Sequence, residues 1–322
     1  MRRSLPSVVA TAAATALALA GCSNSSNSGA DGGSAGTIAI VASTNVYGDI
    51  AGSIAGDHAT VTSIVTSPSQ DPHEYEPSVQ DRLAVEDAEL VVENGGGFDS
   101  FIQPLVEAVD SDPVVIDAVE VSGLAAGDEH AHEHGDDGEL AAEEHEHIEG
   151  FNEHVWYDFE AVEHVAEEIA HELGDIDPNN AKAYRANYQA FVKQIHTLET
   201  RSDKLKVSLG GRGMAITEPV PLYLLQGVGL VNKTPAEFSE AVEEGADVPV
   251  QALRETLDLF TDEQVDLLAY NEQTVDSTTE QVQAAAEDAG IPVVSFTETL
   301  PEGQHYAEWM SANLDSLARA VG

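Results

Sequence analysis

One stretch near the middle of the chain restricts the fold more than any other. Ala181, Tyr184, Tyr188, Phe191, Ile195 and Leu198 recur at alternating steps of three and four residues, and Leu205 resumes the series. That period lays all seven side chains along one stripe of an α-helix. From residue 181 to residue 205 the helix would extend about 37 Å, enough to run the length of a small domain. It begins after Asp177-Pro178 and ends at Gly210-Gly211-Arg212-Gly213, segments that open and close helices. The chain is therefore expected to consist of two parts joined by this helix.

Each part carries the same pattern of short strands alternating with helices. Ahead of the long helix, residues 38–41, 61–65, 90–92 and 114–116 are β-branched and apolar. Helical periodicity lies between them at 46–55, 78–86 and 98–109. A further helix is predicted over 158–173, ended by Gly174. Behind the long helix, strands are predicted at 214–217, 265–270 and 291–296, and helices at 249–260, 277–289 and 304–320. Alternation of this kind predicts an α/β fold with parallel sheets, here two Rossmann-like lobes. In such lobes ligands bind beyond the carboxyl ends of the strands.

The N-terminus bears on location. Arg2 and Arg3 precede an apolar run from Val8 to Ala20, which ends in Leu19-Ala20-Gly21-Cys22. The run is shorter than the roughly 20 apolar residues of a membrane-spanning helix and reads as a leader. Small residues before a cysteine fit a lipoprotein signal, cleaved ahead of Cys22 and acylated on its thiol. Cys22 is the single cysteine, so no intrachain disulfide competes for it. The polar segment that follows, through Ser34, suits a flexible tether. The expected organisation is a signal peptide over 1–21 and a tether over 22–36. An N-terminal lobe follows over 37–175, then the linking helix over 176–209 and a C-terminal lobe over 210–322.

Fifty-eight Asp and Glu stand against 13 Lys and Arg, a formal charge of −45. A surface this negative repels nucleic-acid phosphates and anionic lipid headgroups and attracts cations. Two motifs set a histidine among carboxylates and aromatic rings, an arrangement that suits a metal ligand: Asp71-Pro72-His73-Glu74-Tyr75-Glu76-Pro77 and Asn152-Glu153-His154-Val155-Trp156-Tyr157-Asp158. Glu74, Tyr75, Trp156 and Asp158 are candidates to orient the two rings and screen them from water. Between the motifs, residues 128–149 hold ten acids, five histidines (His130, His132, His134, His145 and His147) and no basic residue. Such a segment has nothing to bury, so the loop 124–150 is expected to be disordered. It reads either as a weak, many-site metal collector or as a solvated loop. His164, Glu168 and His171 share a helix face, which is read as solvent-facing charge rather than a metal cluster.

Leader, two lobes, long helix, charged loop and both histidine motifs together resemble the ZnuA/TroA-like solute-binding lipoproteins of ABC importers for zinc and manganese. The resemblance covers nearly all of the chain after Cys22 and implies a metal site in the cleft between the lobes. The positions that match its ligand pattern are His73, His154, Glu218 in Thr217-Glu218-Pro219, and Glu298 in Phe296-Thr297-Glu298-Thr299. Two imidazoles, two carboxylates and no thiolate suit a divalent ion such as zinc or manganese. Glu218 in place of a third histidine leans toward manganese. The histidine-rich loop and the intrinsic affinity order lean toward zinc, which this reading prefers. The implied protein is a monomeric, lipid-anchored receptor outside the cell that passes its ion to an ABC permease and is not an enzyme. A secreted metal-dependent hydrolase and a surface adhesin or structural lipoprotein are the competing readings. Against the first, the chain has no His-Glu-x-x-His or phosphate-loop sequence.

Overall fold

In a computed structural model that describes residues 37–125 and 150–321, the two parts of the chain repeat one topology. The first contains β1 (Ile38–Thr44), α1 (Asn45–Ala55), β2 (Ala59–Val65), α2 (Val79–Glu86), β3 (Leu90–Glu93), α3 (Ile102–Glu107), β4 (Val114–Asp117), α4 (Ala118–Ser122) and α5 (Phe159–Ile176). The long helix α6 (Ala181–Leu209) follows. The second part contains β5 (Gly213–Ile216), α7 (Leu222–Gly227), β6 (Val231–Asn232), α8 (Ala236–Glu243), α9 (Val250–Thr261), β7 (Leu268–Asn271), α10 (Ser277–Asp288), β8 (Val293–Phe296) and α11 (Tyr306–Val321). Both sheets are parallel, in the orders β2-β1-β3-β4 and β6-β5-β7-β8. In each, the first strand of the part lies inside the sheet with later strands on either side. The chain thus reverses its direction of winding there and leaves a crevice beyond the strand ends.

Local chemistry sets the element ends. Ser78 and Asp81 form a capping box at the start of α2, and Asp276 and Thr279 form one at α10. Asp158, a candidate for orienting a histidine ring, instead accepts the Ala161 N–H and caps α5. Helix α5 also runs on through Gly174 to Ile176, because Pro178 rather than the glycine stops it. Helix α3 begins at Ile102, later than the expected 98, since Asp99 is spent on the N–H groups of Asn94 and Gly95. Gly95 has φ +76, and a side chain there would collide with the Asp117 carboxylate, so only glycine fits this loop.

Helix α6 spans the expected stretch. Its buried stripe is Tyr184, Phe191, Ile195, Leu198, Ser202 and Leu209, with Tyr188 and Leu205 half-buried at its margin. It packs on α1 and α5 of the first part and on α7 and α11 of the second. One continuous apolar core runs through it, from Ile40, Tyr47 and Trp156 to Met214, Phe296 and Leu314. Two smaller clusters cover the outer sheet faces, around Val91 and Phe101 and around Phe238 and Leu268. Polar links add to this shared core. Asn45 exchanges two hydrogen bonds with the Leu300 backbone, at 2.8 and 2.9 Å. Tyr157 donates to the Thr297 carbonyl at 2.7 Å and Tyr306 to the Trp156 carbonyl at 2.6 Å.

Cys22, the predicted leader and tether, and histidines 130, 132, 134, 145 and 147 lie outside the described residues. Among the described residues no helix is long and apolar enough to cross a membrane. Truncating Tyr306 to Phe strands the buried Trp156 carbonyl. This is expected to lower stability by about 1–2 kcal/mol, read as a shift of the urea unfolding midpoint with an unchanged slope.

Candidate metal centre

Loops at the carboxyl ends of the strands bring the candidate residues together. His73 follows β2, Glu218 follows β5, Asn271 closes β7 and Glu298 follows β8. His154 enters just ahead of a 3-10 turn at Val155–Tyr157. These backbone positions are dictated by the parallel topology, which delivers every strand end of a part to the same edge.

The two imidazoles face each other, with ring centroids 6.5 Å apart. His73 lies edge-on to Phe98 at 5.0 Å, and His154 packs against Phe98 and Trp156 at 5.6 and 5.0 Å. Phe98 and Trp156 thus form an apolar floor that excludes water from behind the ligands. His154 is fully buried. Its Nδ1 is 2.7 Å from Asn152 Oδ1, so Nδ1 carries the proton and Nε2 is turned toward the pocket. Asn152 in turn donates to the Pro219 carbonyl at 3.1 Å, which ties the second histidine motif to the loop that carries Glu218. For His73, Asp71 accepts the residue's own N–H at 2.9 Å and fixes the loop.

Of the other residues expected to orient the rings, Trp156 does pack on one. Tyr75 turns away, donating to Asp81 at 3.0 Å and packing at a tilt against Phe101, and Glu74 is exposed. Asn152 carries out the orienting role on His154, and its place two residues before the histidine is the signal that identifies it.

The carboxylates form a linked group. Asn271 Nδ2 donates to Glu298 Oε1 at 2.6 Å and also to Glu218, whose second oxygen accepts from the Thr274 hydroxyl. Burial, followed by the charge of Glu243, pushes the Glu218 carboxyl up to about 8. Burial, followed by Glu218, pushes Glu298 up to about 7. Candidate donor atoms within 4.8 Å of one another form two groups here, His73–His154–Glu243 and Asp71–His73–Glu298. The structure therefore gathers His73, His154 and Glu298, joined through His73. Glu218 adjoins Glu298 through their shared asparagine but belongs to neither compact group.

Glu243, at the end of α8, is the residue that the sequence reading missed. Its Oε1 lies 3.2 Å from His154 Nε2 and 3.6 Å from His73 Nε2. The only local sign of its place is the pair Phe238 and Val242, an i, i+4 apolar spacing after Pro235 that starts a short helix. The helical cluster on α5 stands apart from this site. His164 is turned to the Ser122 carbonyl at 3.2 Å, while Glu168, exposed His171 and Glu172 form a surface group.

Convergent imidazole nitrogens and carboxylate oxygens with an apolar wall can bind a divalent transition metal, and the ion would displace protons from the raised carboxylates. Replacing Asn152 with Ala frees the His154 ring and is expected to weaken metal binding by about 10–100-fold, measured by calorimetric titration.

A second acidic group gathers at the ends of β3 and β4. Glu93, buried beside Asp99 and Asp117, is pushed up to about 8, mainly by burial and then by those two charges; Gln103 donates to it. A carboxyl whose folded pKa is raised contributes stability below its unfolded value near 4.5, and that contribution is lost as pH climbs through about 8. Glu93→Gln keeps the shape and removes the titration. The variant is expected to match the parent near pH 4.5 and to gain on it by at most about 1.4 kcal/mol per pH unit on the way to pH 8. Urea denaturation of the metal-free proteins across that range provides the check.

Comparison with known proteins bears on the family and the fold. A family model described as "Zinc-uptake complex component A periplasmic" matches residues 40–320. The manganese-binding lipoprotein MntA of Halalkalibacterium halodurans is 33% identical over 162 residues, covering 50% of this chain and 47% of its own. The match to that relative therefore spans about half its length. The manganese ABC transporter substrate-binding lipoprotein PsaA of Streptococcus pneumoniae serotype 4 is 26% identical over 306 residues, 88% of this chain and 89% of its own. Among solved structures, ZnuA superposes with a TM-score of 0.68 at 23% identity, over 89% of this chain and 100% of that one. The periplasmic zinc-binding protein TroA from Treponema pallidum does so with a TM-score of 0.69 at 17% identity, over 88% and 98%. At these identities the two structures bear on the fold, which is the two-lobed α/β architecture described above. The family match extends over most of the chain, and the chain belongs to the zinc-uptake complex component A (ZnuA) family, whose members are solute-binding receptors rather than enzymes.

Proposed function

We propose that the protein captures a divalent transition-metal ion outside the cell and delivers it to the permease of an ABC-type importer. The observation that carries this reading is the gathering of His73 and His154 from one part with Glu298 from the other, Glu218 being joined to Glu298 through Asn271. These four are the proposed ligands. With neutral imidazoles and ionised carboxylates, a divalent ion leaves the set uncharged. Acylation at Cys22 would hold a monomeric receptor at the membrane surface, in keeping with relatives named as lipoproteins.

In place of the zinc that the sequence alone favours, the cargo we propose is manganese. The donor set has two imidazoles and otherwise only carboxylates, an oxygen-rich composition that suits a hard ion. MntA and PsaA, both named for manganese, support this choice. Zinc is the second reading. The affinity order favours it in any mixed nitrogen and oxygen site, and residues 128–149 supply five further histidines.

Metal analysis of the protein isolated from its own cells, followed by titration of the stripped protein, tests both statements. One tightly held equivalent is expected. It should be lost in the His73→Ala/His154→Ala variant and kept when residues 128–149 are deleted. Manganese as the carried ion fits the proposal, and zinc replaces the cargo while leaving the receptor. Absence of a tight ion, or binding that survives loss of both histidines, would refute the four-ligand site.

A further inference from the structure

Glu243 is positioned as no other acid on α8 is. Its side chain is 9% exposed, and one of its oxygens lies 3.2 and 3.6 Å from the Nε2 atoms of His154 and His73. Ligand atoms bound about 2.0–2.2 Å from a common divalent ion stand roughly 3.0–3.5 Å apart. The Glu243 oxygen thus lies at or just beyond ligand-to-ligand distance from both nitrogens, and donor atoms of all three residues fall within 4.8 Å of one another. Donor atoms of His73, Glu298 and Asp71 also lie within 4.8 Å of one another, so a carboxylate from the loop after β8 adjoins the same histidine.

The route by which Glu243 arrives also sets it apart. The other acids of the site hang from strand ends and are tethered: Glu218 and Glu298 share Asn271, and Glu218 also accepts from Thr274. Glu243 comes from the last residue of a short helix, and the chain is exposed from Glu244 to Asp247. It borders two cavities. One, of about 230 Å³, is lined by Asn152, Glu153 and Glu240; the other, of about 550 Å³, by Asp71, His73, Glu74 and Asp276. The α8 terminus thus borders both openings, and His73 itself lines the larger one.

We propose that Glu243 is a fifth ligand of the cargo ion, supplied by α8. The site then holds two imidazoles and three carboxylates, and the coordination number exceeds four. Such a set carries one negative charge with a divalent ion bound, and it suits manganese better than a tetrahedral zinc centre. This inference rests on the metal-receptor reading of the same pocket.

The test uses the full-length protein with Mn(II) in titration calorimetry and Co(II) as a probe of coordination by its visible absorption. The parent is measured first. If it binds neither ion, the receptor reading and this inference fall together. If it binds one equivalent, Glu243→Gln is expected to weaken Mn(II) by at least about ten-fold. It should also intensify the Co(II) bands, as loss of a ligand lowers the coordination number. Glu243→Asp, one methylene shorter, provides a second variant, expected to weaken Mn(II) less than the glutamine. Melting of the metal-free variants verifies that each is folded. Unchanged affinity and an unchanged Co(II) spectrum in Glu243→Gln would overturn the assignment. Tighter Mn(II) binding would also overturn it, because Glu243 would then be a competitor of the ion, not a ligand.

Discussion

The structure depends on keeping several carboxylates close together where they are largely withdrawn from water. Glu218, Glu298 and Glu243 are all pushed toward the protonated form, chiefly by burial and then by one another or by further acids nearby. Unpaired charges in such a place are costly, and the group remains compact only because Asn271, Thr274 and the imidazoles engage it. The apolar floor of Phe98 and Trp156 makes the problem sharper by removing the solvent that would screen it. A divalent cation resolves it at a stroke. The unfavourable electrostatics of the empty pocket and its affinity for metal are therefore one property seen from two sides.

Holding that arrangement falls to the middle of the molecule. Helix α6 does not act as a flexible joint, because the apolar core runs through it without interruption from the first sheet to the second. Asn45 with Leu300, Tyr157 with Thr297 and Tyr306 with Trp156 then join the parts close to the strand ends. Wide separation of the parts would expose core as well as break these bonds. Ion entry and exit are accordingly matters for the loops and for α8, which lies outside this framework.

Much of this could be read before any coordinates. The strands of the first part announce themselves as runs rich in β-branched residues, and α6 by a stripe that no other element imitates. Their order fixes the edge at which His73, Glu218 and Glu298 emerge, although the two glutamates were singled out from 58 acids only by family likeness. What stayed hidden lies between residues 218 and 249. Strand β6 is two residues long, too short to show an alternation, and α8 carries acids that look like any solvated face. Glu243 reaches the histidines through tertiary packing, which no local pattern encodes. Likewise Asp158 and Tyr75 flank the histidines in the sequence, yet helix capping and the outer apolar cluster claim their side chains.

The indole of Trp156 sits 5.0 Å, centroid to centroid, from the His154 ring and is almost wholly buried. One of only two tryptophans in the chain, it is a natural optical reporter for this pocket. An unpaired-electron ion held by His154 would lie close enough to drain its excited state, whereas a closed-shell ion would only shift its surroundings. Emission from the native protein thus distinguishes occupant types as well as occupancy, with no label attached.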